Sequence, residues 1–184
     1  MLSPYHGGRR SAVVVAALVF SLAVTLPLVS DAPDSKNFVA HCVGDEEVPA
    51  RATHAQGQAI FHLSKDGAEL AYTLIVANIE NVVASHIHIA PAGVNGPIVV
   101  FLAGPFPSAG GRSDGIIGKG VITASNLIGP LAGSADLTAL ATALRNGNAY
   151  VNVHTNDGVA PTNTGPGDFP GGEIRAQISV AGPN

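Results

Sequence analysis

The segment Ser85-His86-Ile87-His88-Ile89 places two histidines on alternate residues. On an extended strand alternate side chains share a face, so His86 and His88 project to one side and Ile87 and Ile89 to the other. Two imidazoles so placed can chelate one metal ion, and neutral imidazole suits copper, zinc or nickel. A second segment, Val151-Asn152-Val153-His154-Thr155, alternates in the same way, with Asn152 and His154 opposite Val151 and Val153. A third, Gly172-Glu173-Ile174-Arg175-Ala176-Gln177-Ile178, sets Glu173, Arg175 and Gln177 against Ile174, Ala176 and Ile178. If these strands are neighbours, His86, His88, Asn152, His154, Glu173 and Arg175 gather on one polar patch. Two readings of that patch stand side by side. One is a metal site built on His86, His88 and His154, holding copper or zinc. The other is the outer face of an ordinary half-solvated sheet, on which Glu173 and Arg175 form a same-face ion pair worth under about 1 kcal/mol.

Other reactive residues carry less. His41, His54 and His62 are scattered, and His6 lies near the start of the chain. The single cysteine, Cys42, excludes an internal disulfide and reads as a small buried hydrophobe. Glu46-Glu47 precedes Val48-Pro49 in a turn. Acid–base work would require two such carboxyls to differ in pKa, which sequence alone does not supply.

The elements that position these residues are short. Charged residues make up only 12% of the 184, against 22 Gly and 13 Pro, a balance that fits a β-rich domain. Strands are expected near 38–43, 55–63, 69–77, 83–89, 97–102, 116–122, 149–154 and 173–180. Lys65-Asp66-Gly67 is the expected turn between the second and third. One helix is expected, with Ser134 as N-cap, an apolar stripe of Leu137, Leu140, Ala141 and Leu144, and Gly147 just past its end. Residues 103–115 and 155–171 read as long loops, which in a compact domain are functional or mobile.

The N-terminal part reads differently. Residues 1–10 end in Arg9-Arg10, and residues 11–29 carry no charge. That is the pattern of a secretory signal, although the apolar run also approaches the length of a membrane span. Residues 1–32 are therefore expected to be a signal peptide or an uncleaved anchor, with 11–29 as a possible tether. A linker follows at 33–36 and a β domain at 37–182. The expected location is secreted or extracytoplasmic. The formal net charge of −4 lacks the basic footprint of a nucleic-acid binder.

Four segments taken together resemble the CHRD domain, a module first named from chordin. They are Phe38 to Pro49 (FVAHCVGDEEVP), His86 to Leu102 (HIHIAPAGVNGPIVVFL), Gly147 to Thr155 (GNAYVNVHT) and Gly172 to Ile178 (GEIRAQI). Departures include Ala176, where the family usually has glycine, Ala50, where it has a second proline, and a longer loop from Asn156 to Gly171. The resemblance implies an all-β, immunoglobulin-like Greek-key sandwich or barrel, with a distant likeness to the copper,zinc superoxide dismutases. His86-Ile87-His88 resembles that fold's strand pair of copper ligands, and His154 its later copper histidine. The bridging histidine and zinc-loop ligands have no counterpart, so the resemblance implies no dismutase activity. It implies instead a non-catalytic binding or structural module with an unidentified protein or surface partner.

Overall fold

The computed structural model describes Met1 and residues 35–182. Most of the 1–32 segment, its expected cleavage and its apolar run therefore lie outside the described residues. Among the described residues no helix is long and apolar enough to cross a membrane.

Nine strands form an antiparallel sheet: β1 (Asn37–Val43), β2 (Gln56–Leu63), β3 (Leu70–Glu80), β4 (Val82–Ile89), β5 (Ile98–Ala103), β6 (Arg112–Ile122), β7 (Ala149–Thr155), β8 (Ile174–Gln177) and β9 (Ser179–Val180). Their spatial order is β5-β4-β7-β8-β1-β2-β3-β6, with β9 beside β1. The eight-strand path curls into a nearly closed barrel. Across the seam between its end strands the Tyr72 hydroxyl, on β3, donates to the Leu102 carbonyl of β5 at 2.7 Å.

Alternation explains the core. Phe38, Ala40 and Cys42 of β1 are buried and pair with Phe61, Ala59 and Gly57 of β2. Leu74 and Val76 of β3 continue two of these rows. Cys42 is fully buried, and that burial pushes its thiol far up, as expected for a packing residue. The Lys65-Asp66-Gly67 turn joins β2 to β3, with Gly67 N–H donating to Ser64 O at 3.0 Å.

Three expectations need correction. The helix α1 spans Thr138–Arg145 and buries Leu140, Ala141 and Leu144, but Ser134 does not cap it. The Ser134 hydroxyl donates to Leu131 O, while the Asp136 carboxylate accepts the first-turn N–H of Thr138 at 2.8 Å. A single strand over 173–180 is also wrong. It breaks at Ile178, whose N–H still donates to Ala149 of β7, and β9 then pairs with β1. Finally, β6 begins at Arg112, inside the expected loop 103–115, because one irregularity in β6 and one in β3 carry the pairing on to Glu80↔Arg112.

Candidate metal centre

The register of β4, β7 and β8 assembles the site. Ile87, Val151 and Ala176 form one cross-strand row facing the core. The adjacent row on the opposite face is His86, Asn152 and Arg175, and the next is His88, Tyr150 and Gln177. His154 lies across from Ala84. The sequence expectation that these strands are neighbours is met.

The expectation that this face is half-solvated is not. His86, His88, Asn152, Glu173 and Arg175 are all buried, Arg175 to 1% exposure. Loops folded over the sheet cover them. Asn95 and Val94 accept from the Arg175 guanidinium at 2.9 and 2.8 Å. Glu173 accepts from Thr53, Thr155 and the Gly167 N–H at 2.6–2.8 Å. Glu173 and Arg175 thus point to different loops and do not pair with each other. The polar row is the inner layer of a second, hydrogen-bonded core, where unpaired polar groups would be costly.

The three histidines converge. Each offers a ring nitrogen, and these atoms lie within 4.8 Å of one another. Backbone carbonyls fix two of the rings. His88 Nδ1 donates to Gly96 O and His154 Nδ1 donates to Pro170 O, both at 2.9 Å. A neutral imidazole that donates from one nitrogen presents a lone pair on the other. The Nε2 atoms of His88 and His154 are therefore the available donors. His88 Nε2 is buried with no partner, as is His86 Nε2, whereas His154 Nε2 accepts a hydrogen bond from His86 Nδ1 at 3.0 Å.

All three rings are held neutral. Burial, reinforced by the His154 and His88 rings, pushes His86 down to about 3. Burial also lowers His88 and His154, against the opposing effect of their bonds to Gly96 and Pro170. A neutral triad needs no proton release to ligate. A four-coordinate ion with metal–nitrogen bonds of 2.0–2.1 Å sets ligand nitrogens about 3.3 Å apart. The 3.0 Å edge is close to that, and the others need to close by no more than about 1.5 Å, within reach of side-chain rotation. Backbone carbonyls orienting ligand rings from behind are the usual support of such a centre.

Around the triad the stacking is ordered. Tyr150 lies against His88 with centroids 4.7 Å apart and planes 11° from parallel. The Arg175 guanidinium sits 3.5 Å from the centroid of the Tyr150 ring. Phe101, half-exposed on β5, meets the His86 ring at 4.5 Å and 89°.

Sequence reasoning missed several of these residues. Tyr150 shares the period-two register of Asn152 and His154, a signal that was available. Gly96 has none beyond its place in Asn95-Gly96-Pro97, yet it anchors both His88 and Tyr150, whose hydroxyl accepts its N–H at 3.1 Å. A Cβ on Gly96 would stand 1.9 Å from the Ile89 carbonyl oxygen, so only glycine fits. Glu47 follows a short helical turn and is buried, unlike Glu46. Burial raises its carboxyl to about 7, against the lowering effect of Arg175, Arg51 and the hydrogen bond from Asn152. Its Oε2 accepts from Asn152 Nδ2 at 3.2 Å, while its Oε1 and Asn152 Oδ1 both lack a partner. His41, His54 and His62 remain apart from the triad; His41 and His62 bond Gln58 and Asn37.

Among curated proteins and among solved structures, no significant match to this chain is found. The family model of the CHRD domain matches residues 38–178, from the first buried residue of β1 to the residue just past β8. That span contains the strand pair of histidines, His154 and the closing Glu-Ile-Arg strand, and the chain belongs to the CHRD domain family.

Proposed function

We propose that this chain is an exported, non-catalytic CHRD-domain module that holds one copper or zinc ion through His86, His88 and His154. The observation that carries the proposal is the backbone anchoring of His88 and His154. It turns both Nε2 lone pairs away from the carbonyls, and leaves His88 Nε2 buried and unpartnered. Copper is expected to displace zinc in competition, since imidazole donors follow the general affinity order of divalent metals. Export is supported by Arg9-Arg10 followed by the uncharged run 11–29, acting as a cleaved signal or a tether. The partner would then be a protein or surface outside the cytoplasm, met through exposed side chains beside the site such as Val94 and Phe101.

Metal analysis of protein purified without chelators, or reloaded with one equivalent of copper or zinc, tests the site. One ion per chain is expected. At metal concentrations of about 100 times Kd the stabilisation is about 2.7 kcal/mol, or roughly 5–10 °C in Tm for a domain of this size. The double variant His86→Ala, His88→Ala should lose both the ion and the shift. Wild-type protein that retains no metal and shows no shift would sink the proposal.

A further inference from the structure

Among the described residues, the His, Cys, Asp and Glu side chains able to close on one ion here are His86, His88 and His154, with no fourth. Zinc centres with three protein ligands keep the next position for water or an incoming molecule. The burial is uneven. His86 and His88 are 6% and 8% exposed, whereas His154 is more open, and Phe101, which meets the His86 ring from β5, is 48% exposed. The triad is thus covered by hydrogen-bonded loops at His86 and His88 and is least covered at His154.

Charge narrows what would enter. Three neutral imidazoles bring no negative charge to a divalent ion. The acids in the same polar layer are engaged elsewhere: Glu173 is taken up by Thr53, Thr155 and Gly167, and Glu47 faces Asn152. On the far side of His88 the stack continues through Tyr150 to the Arg175 guanidinium. A buried divalent charge next to a cation, without an ionised ligand, is costly unless a counter-charge joins it.

We infer that the three-histidine centre keeps one coordination position open on its less covered side, at His154, and that a small monoanion occupies it. The inference rests on the metal-site reading above. The full chain loaded with one equivalent of Cu(II) is titrated with azide, following the azide-to-copper charge-transfer absorption and the copper EPR spectrum. The expected result is a saturable band reaching one azide per copper, with the copper still bound after gel filtration. If copper stays bound, is lost in the His86→Ala, His88→Ala variant, and gives no saturable band, the open position is overturned while the metal site stands. Copper stripped by azide, without a bound complex, overturns it equally. Failure of the wild-type chain to hold copper before any azide is added removes the metal-site reading and this inference together.

Discussion

Replacing Glu47 with glutamine separates the acid from its proton. Burial holds the carboxyl near 7 in the folded protein, against 4.5 ordinarily. That difference of about 2.5 units corresponds to a proton-linked free energy on the order of 3 kcal/mol. For an acid raised on folding, the native state keeps a proton that the unfolded chain has already released. Stability is therefore full below about pH 4.5, falls as pH rises, and carries the whole cost above about pH 7. The histidine triad works in the opposite sense. Its pKa values are lowered on folding, so its contribution is present above pH 6.5 and is lost as pH falls, for His86 down to about 3.

Because the triad is unchanged in Glu47→Gln, its contribution cancels in the difference between the two proteins. Glutamine retains a donor and an acceptor for Asn152 and has no proton to lose. Urea unfolding of both proteins, metal-free and in the presence of a chelator, at several values between about pH 5 and 8 isolates Glu47. The variant is expected to gain on wild type by about 2.5 kcal/mol from the acid to the alkaline end. A difference that stays constant across the range would refute the assignment of a protonated, buried Glu47.

Two substitutions test how the ligand rings are held. Gly96→Ala would drive a Cβ into the Ile89 carbonyl and push the loop off β4. The expected cost is about 3 kcal/mol or more in chemical denaturation, with metal affinity lower by about 10- to 100-fold by competition titration. Tyr150→Phe keeps the ring on His88 and loses only the hydroxyl that accepts from Gly96 N–H. It should cost about 1 kcal/mol and leave metal stoichiometry unchanged; loss of the ion in this variant would mean that the hydroxyl, not the ring, orders the site.

The alternation of apolar and polar residues was enough to place β4, β7 and β8 and to put His86, His88 and His154 on a shared face. That pattern is local, set by the two-residue period of a strand, and so it survives without knowledge of the partner strands. Burial of the polar face is not local. The same alternation describes a strand facing water and one roofed by loops. The roof over Arg175 comes from Val94 and Asn95, 80 residues earlier in the chain, and that over Glu173 from Thr53, 120 residues earlier. Glu47 was illegible for the same reason. Nothing in Glu46-Glu47 distinguishes a carboxyl that points to solvent from one that folds under Gly172 against Asn152. Ser134 misled for a related cause: the helix starts only at Thr138, and the Asp136 carboxylate accepts its first N–H.

These two kinds of information meet in the histidine triad. Pattern alone left both metal chelation and an ordinary polar face open, since both put imidazoles on alternate residues. What separates them is the second nitrogen of each ring. On a solvated face it would hydrogen-bond to water and the ring would be free to turn. Here Gly96 and Pro170, on two different loops, each receive an Nδ1 proton, and the steric fit of Gly96 against Ile89 fixes one of those loops in place. The His88 and His154 rings are thereby oriented by the backbone, and His86 is held by its hydrogen bond to His154. Orienting three neutral imidazoles at one buried point has a desolvation cost that no hydrogen bond at His88 Nε2 offsets. A ligated ion would offset it.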